Sequence, residues 1–304
     1  MLQTTDAWPE LPLAEWLDTY DTLHMWSQIV GKTRMALSPP VNHWWHVTLY
    51  VTPVGLATSA IPLPHGSFDA EFDFLRHRLV VRTSEGEERA IALYPRTVAD
   101  FYREYMDVLR DLDIEVSIDL TPAEFDDPTP YDQDRKHASY DRAAVVRFHR
   151  VLTGANRVLR EFRGGFIGKC SPVHFFWGSF DLAVSRFSGR RAQLAESTDH
   201  MTREAYSREV SSCGFWPGDR RYPQPAFYAY HSPAPAGLEN GAVRPGAWNA
   251  QLREFILGYD EVRSAASPEQ AILDFCQSAY EAGAKLAGWE RELLECPRRA
   301  RSAG

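Results

Sequence analysis

The stretch Phe68–Tyr94, FDAEFDFLRHRLVVRTSEGEERAIALY, decides the fold class. Phe68, Ala70, Phe72 and Phe74 alternate with acidic residues, the period of a strand that turns one face to a core. Glu71, Asp73 and His77 lie opposite, beside Leu75 and Leu79. Strand-like runs therefore occupy Phe68–Arg82 and Arg89–Tyr94, with Glu85-Gly86 between them. Upstream, His43–Thr52 and Leu56–Ile61 are rich in β-branched and aromatic residues, and Gly55 and Pro62 to Gly66 punctuate them. Links this short imply an antiparallel meander.

Helices flank this meander. Leu13, Leu17, Tyr20, Leu23 and Val30 predict one from Leu13 to Met35, stopped by Ser38-Pro39-Pro40. Val98, Phe101, Tyr102, Tyr105, Leu109 and Leu112 predict another, with Thr97 as its N-cap. Glu115–Ile118 reads as a further short strand. The same order recurs downstream. A strongly amphipathic helix covers Val145–Phe162 and ends at Gly164-Gly165. Strands are expected at His174–Phe187, Tyr206–Cys213, Ala226–His231 and Arg253–Leu257. Ser267-Pro268 opens a last helix that should run to Lys285. A local echo accompanies the recurrence: Gly31-Lys32, Ser38-Pro39 and His43-Trp44-Trp45 against Gly168-Lys169, Ser171-Pro172 and His174-Phe175-Phe176.

The reading is an α+β fold with antiparallel sheets from two similar helix–meander–helix halves, continuous or barrel-like. The halves span 1–120 and 142–296 and form one compact unit, with a polar connector at 121–141 and a disordered tail at 297–304.

Composition bounds the function. The chain has 304 residues, 44% of them hydrophobic and 24% charged, which is ordinary globular usage. The net charge of −8 and the interleaving of basic with acidic residues argue against a nucleic-acid partner. No apolar run approaches the roughly 20 residues of a membrane-spanning helix, and the acidic start lacks the features of a signal peptide. Cys170, Cys213, Cys276 and Cys296 form no C-x-x-C pair and read as reduced thiols of a cytoplasmic protein. A homodimer is as compatible with the sequence as a monomer. Gly31-Lys32-Thr33 and Gly168-Lys169-Cys170 lack the upstream glycine of a phosphate loop, because Trp26 and Arg163 hold that place. No nucleotide or dinucleotide motif is present.

Several longer segments are more specific. Asn42-His43-Trp44-Trp45-His46, Gly168 to Asp181, Arg186 to Arg191 and Glu209 to Gly218 resemble those of an uncharacterised bacterial family, domain of unknown function 5996. The resemblance covers nearly the whole chain and implies no particular reaction.

Polar groups set among aromatics are the candidates for chemistry. His43 and His174, at similar places in the two halves, suit acid–base catalysis, with Asp181 or Glu209 orienting them. Lys32, Lys169, Arg186 and Arg190 suit an anionic substrate group, and Trp45, His46, Tyr140, Trp177 and Trp216 suit the walls of an aromatic pocket. His43, His46 and His174 with Glu71, Asp73 and Glu209 also have the ligand types of a divalent transition-metal site. Each of these residues has a plainer reading as a satisfied core or surface group. The connector is either a linker or a lid that carries His137 or Tyr140 over a pocket. Together these residues point to an enzyme acting on a small aromatic or anionic metabolite between the halves. The alternatives are a non-catalytic small-molecule binding protein using the same pocket, and a structural or protein-interaction module.

Overall fold

In the computed structural model, which describes residues 7–296, the alternating run at Phe68 folds as a hairpin rather than one long strand. The 297–304 tail lies outside the described residues. In chain order the first elements are α1 (Leu17–Leu37), β1 (Tyr50–Val51), β2 (Gly55–Ala57), β3 (Ile61–Pro62), β4 (Ser67–Asp73), β5 (Arg78–Thr83) and β6 (Glu88–Ala92). Next come α2 (Val98–Asp111), α3 (Arg142–Gly164), β7 (His174–Phe176), β8 (Asp181–Arg191), α4 (His200–Ala205) and β9 (Arg208–Trp216). The last are β10 (Ala226–Ser232), β11 (Ala247–Asn249), β12 (Glu254–Gly258), α5 (Tyr259–Ser264), α6 (Pro268–Leu286) and α7 (Arg291–Leu294). The fold is α+β, with two antiparallel sheets and no closed barrel among the described residues.

The chain divides into two units that interleave in sequence. Unit 1 takes the chain up to Gly154 together with His174–Asp181 and Pro217–Gln224; unit 2 takes Ala155–Val173, Leu182–Trp216 and the chain from Pro225 onward. The connector at 121–141 thus belongs wholly to unit 1, and the division falls inside α3 instead.

Unit 1 is built on the sheet β1-β2-β4-β5-β6, with β3 also pairing β4. Phe68, Ala70 and Phe72 point from β4 into the core, as the alternation requires. Phe72, Phe101 of α2 and Trp26 of α1 stack in sequence, with 6.4 Å and 4.7 Å between ring centres. Every residue from Thr19 to Arg34 of α1 is buried, polar ones included. A helix buried all round must satisfy its polar side chains internally, and here the connector does so. Gln28 donates to the Ala123 carbonyl (2.7 Å) and accepts from the Ala123 N–H (2.8 Å) and the Tyr131 hydroxyl (2.7 Å). Thr22 and Thr19 accept from the backbone N–H groups of Ser139 (3.1 Å) and Asp141 (2.9 Å). The long polar segment is therefore a strap laid along α1, without helix or strand of its own.

Unit 2 is built on strands in the order β11-β12-β10-β9-β8, with α6 packed on β9 and β10. Phe215, Phe227 and Tyr259 join at 5.3–5.7 Å. The His231 ring occupies the space a side chain at Gly283 would need, and its Nε2 lies 3.2 Å from the Ala279 carbonyl.

Several sequence expectations shift. His43–Thr52 shortens to β1, because His43 and Trp44 adopt φ of 59° and 61°, outside strand geometry. The run His174–Phe187 breaks at the turn Trp177–Phe180, where Phe180 has φ 57°. Glu115–Ile118 forms no strand. The echoed Gly-Lys pairs occupy unlike places: Gly31-Lys32 sits inside α1, whereas Gly168-Lys169 follows the end of α3.

Candidate functional site

The residues that converge best lie in unit 1, around β1 and β7. The Leu49 N–H donates to the Phe175 carbonyl (2.9 Å) and the Phe175 N–H to the Leu49 carbonyl (2.8 Å). This antiparallel register sets Tyr50 opposite His174. The Tyr50 hydroxyl stands 3.5 Å from His174 Nε2, long for a hydrogen bond, and the two ring centres are 5.5 Å apart. Trp45 lies 5.8 Å from His174, His43 lies 5.4 Å from Trp45, and Phe176 meets His174 edge-on at 5.7 Å. His174 and His43 are buried, whereas Trp45, Tyr50 and Phe176 are half-buried and wall the cluster.

Local backbone produces this arrangement. Asn42–Trp44 is a single 3-10 turn in which His43 and Trp44 are consecutive left-handed residues. Such a conformation costs side-chain-bearing residues about 1–3 kcal/mol each and persists only where packing holds it. Here Trp44 stacks on His46 at 5.3 Å, and His46 Nδ1 accepts from the Val41 N–H at 3.1 Å. His43 and Trp45 still meet as alternate residues, as expected of a strand, through a different backbone.

Arg34 completes the cluster, and sequence reasoning passed over it. It projects from α1, is 7% exposed, and its guanidinium carbon lies 5.2 Å from the Tyr50 ring centre. It donates to the Thr48 carbonyl, and its cation faces the Tyr50 ring. It has no ion pair with a carboxylate among the described residues, and its buried Nε has no hydrogen-bond partner there. Burial pulls its pKa down, and Tyr50 opposes that shift. A guanidinium has no acceptor to offer the Tyr50 proton, whereas His174 Nε2 faces that hydroxyl. The result is a cation with no buried counter-charge behind a phenol and an imidazole.

Lys32 and Trp177, both expected at a substrate, serve the strap and the helix. Lys32 donates to Asp119 (3.0 Å) and to the Thr121 carbonyl. The Trp177 indole covers Gly31 and donates to the Val47 carbonyl at 2.7 Å. Gly31 is glycine because any Cβ there would lie 2.2–2.5 Å from that ring. Tyr140 is buried, stacked on Trp26 (5.5 Å) and 3.1 Å from His77 Nδ1. Asp181 is buried and accepts from the Ser179 hydroxyl.

The expected metal set does not assemble. Among the described residues no group of three or more His, Cys, Asp or Glu gathers to hold a metal ion. His43, His46 and His174 are separated by aromatic rings, and the carboxylates are committed to arginines. Glu71 pairs with Arg82 (2.8 Å), Asp73 with Arg76 (3.2 Å), and Glu209, in unit 2, with Arg190 (2.7 Å).

Other expected anion-binding groups also lie in unit 2. Arg186 is 1% exposed, with its guanidinium 3.4 Å from the centre of the Phe162 ring and 4.6 Å from that of Tyr280. It donates to the Phe162 carbonyl and to Gln277 (3.3 Å). Aromatic faces and carbonyls thus fill its surroundings, and it acts as a core group. Arg190 also donates to the Ala287 carbonyl (2.6 Å) at the end of α6. Lys169 is exposed over the Phe187 ring, and Trp216 ends β9 opposite Ala226.

No helix among the described residues is long and apolar enough to cross a membrane. The chain belongs to a family of unknown function, DUF5996, whose model matches residues 8–296. No curated protein and no solved structure matches it.

Proposed function

We propose, since membership of this family assigns no activity, that the protein is an enzyme moving a proton on a small anionic metabolite. Tyr50 and His174 are the exchanging pair, and Trp45 and Phe176 wall the substrate. The observation that carries the reading is Arg34, a buried cation with no carboxylate partner among the described residues, set 5.2 Å from the ring centre of Tyr50, whose hydroxyl faces His174 Nε2. A carboxylate beside Arg34 would cancel its field. Without one, the field favours negative charge on the Tyr50 oxygen, or on a substrate oxygen next to it, where proton transfer creates it. Imidazole titrates near neutral pH and accepts or returns the proton, and His43 across Trp45 flanks the same wall.

The test uses the full chain in D2O with a mixture of small carboxylic and phosphorylated metabolites, followed by mass spectrometry. Deuterium entering one metabolite, or its conversion, is expected for the native protein and lost in Tyr50→Phe and His174→Ala variants that remain folded. If a metabolite binds and stabilises the protein but nothing is exchanged or converted, the cluster is a binding site only. If nothing binds, or both variants behave as the native protein, the proposal is wrong.

A further inference from the structure

The strap carries a second arrangement that the Tyr50–His174 cluster does not use. His137 Nδ1 lies 2.7 Å from Asp134 Oδ2, and Asp134 is 2% exposed. Asp134 Oδ1 also accepts the backbone N–H groups of Lys136 and His137, both at 3.0 Å. A carboxylate so held places a proton on Nδ1, so that the neutral imidazole presents Nε2 as an acceptor. The His137 side chain is 8% exposed, and it lines a cavity of about 340 Å³ in unit 1. No hydrogen bond is made to its Nε2 among the described residues.

The other walls of that cavity are Phe125, Asp126, Asp127, Pro128, Lys136 and Arg220. Its cations are already matched. Lys136 pairs with Asp127 at 2.9 Å, and Arg220 grips Asp21 with two bonds of 3.1 and 2.6 Å. Arg221 nearby is likewise held by Asp219, at 2.8 and 2.6 Å. What remains without an ion pair among the described residues is one carboxylate, Asp126, beside the His137 acceptor and the Phe125 ring, which meets His137 and His24 edge-on at 5.3 and 5.5 Å. Asp126 acts at longer range on Arg220 and Arg221, but each of those holds its own acid.

A carboxylate, a neutral nitrogen acceptor and an aromatic face are the three groups that together recognise an organic ammonium. We infer that this cavity binds a small primary amine as its ammonium ion, with Asp126 and His137 Nε2 receiving its N–H groups and Phe125 stacking against its body. The site is independent of the proton-transfer reading, since it shares no residue with it.

Isothermal titration of the full chain near neutral pH, with benzylammonium, benzyl alcohol and benzoate as probes of one shape and three charges, tests this. Benzylammonium should bind at least about tenfold more tightly than either of the others. Asp126→Asn, an exposed site whose change leaves folding intact, should weaken it about tenfold, and Tyr50→Phe should leave it unchanged. Benzylammonium binding no better than benzyl alcohol, equal affinity in Asp126→Asn, or loss in Tyr50→Phe would each overturn the inference.

Discussion

Replacing Gly31 by alanine sets two effects of opposite sign against each other. Gly31 lies inside α1, where alanine would stabilise a helix by ~1 kcal/mol. The new Cβ, however, would stand 2.2 Å from Cδ1 and 2.3 Å from Nε1 of the Trp177 indole, well inside contact distance. Neither partner can yield cheaply. The helix backbone is buried on every side, and Trp177 is 7% exposed and tied through Nε1 to the Val47 carbonyl at 2.7 Å. Overpacking costs about 1–3 kcal/mol and a displaced indole forfeits about 1 kcal/mol of hydrogen bonding. The balance is a net loss of roughly 1–3 kcal/mol, the helix gain included. Urea denaturation followed by tryptophan fluorescence reads this loss. A double-mutant cycle with Trp177→Leu isolates its cause, because in that background Gly31→Ala should cost at least ~1 kcal/mol less. A variant as stable as the native protein, or more so, would refute the close approach of the indole to α1. Equal costs in both backgrounds would refute its role as the obstacle.

Two further outcomes follow from buried charge. Arg34→Met removes a cation that no carboxylate among the described residues compensates, so urea denaturation should show a change within about 1 kcal/mol of neutral, or a gain. A loss above about 3 kcal/mol would show that the guanidinium is a structural cross-link and not a poised functional group. Stability should also fall on mild acidification. Burial pushes His24 in unit 1 and His231 in unit 2 down from 6.5 to about 4. Each imidazole must stay neutral in the folded chain but protonates readily when unfolded, so its contribution is complete above about 6.5 and disappears as pH falls to about 4. Each contributes on the order of 3 kcal/mol across that window. Urea midpoints between pH 7.5 and 4.5 should decline, less steeply in His231→Asn; a flat native profile would refute the buried neutral imidazoles.

Much of the architecture was legible because it rests on short-range periodicity. The alternation at Phe68–Phe72, the Thr97 cap, whose side chain accepts the Asp100 N–H, and the Ser267-Pro268 helix start all appear where the residues indicate. These signals depend on one strand face or one helical turn, which neighbouring residues determine by themselves. The reading of His43–Thr52 as a strand failed because β-propensity in aromatic residues measures burial more than backbone geometry. His43 and Trp44 are buried or half-buried, but in the left-handed region.

The candidate sites divide in the same way. From sequence alone came the α+β class, the absence of any nucleotide motif and the concentration of His and Trp at 43–46 and 174–177. Tertiary structure alone decided which of those residues meet, and what stands behind them. Nothing local marks Arg34 as lacking a carboxylate among the described residues, since that depends on where Thr48, Tyr50 and the acids lie in space. Nor does spacing reveal that Asp73, Glu71 and Glu209 are each held by an arginine. Charge pairing is a property of three-dimensional distance, and Coulomb energy falls with separation in space whatever the separation along the chain.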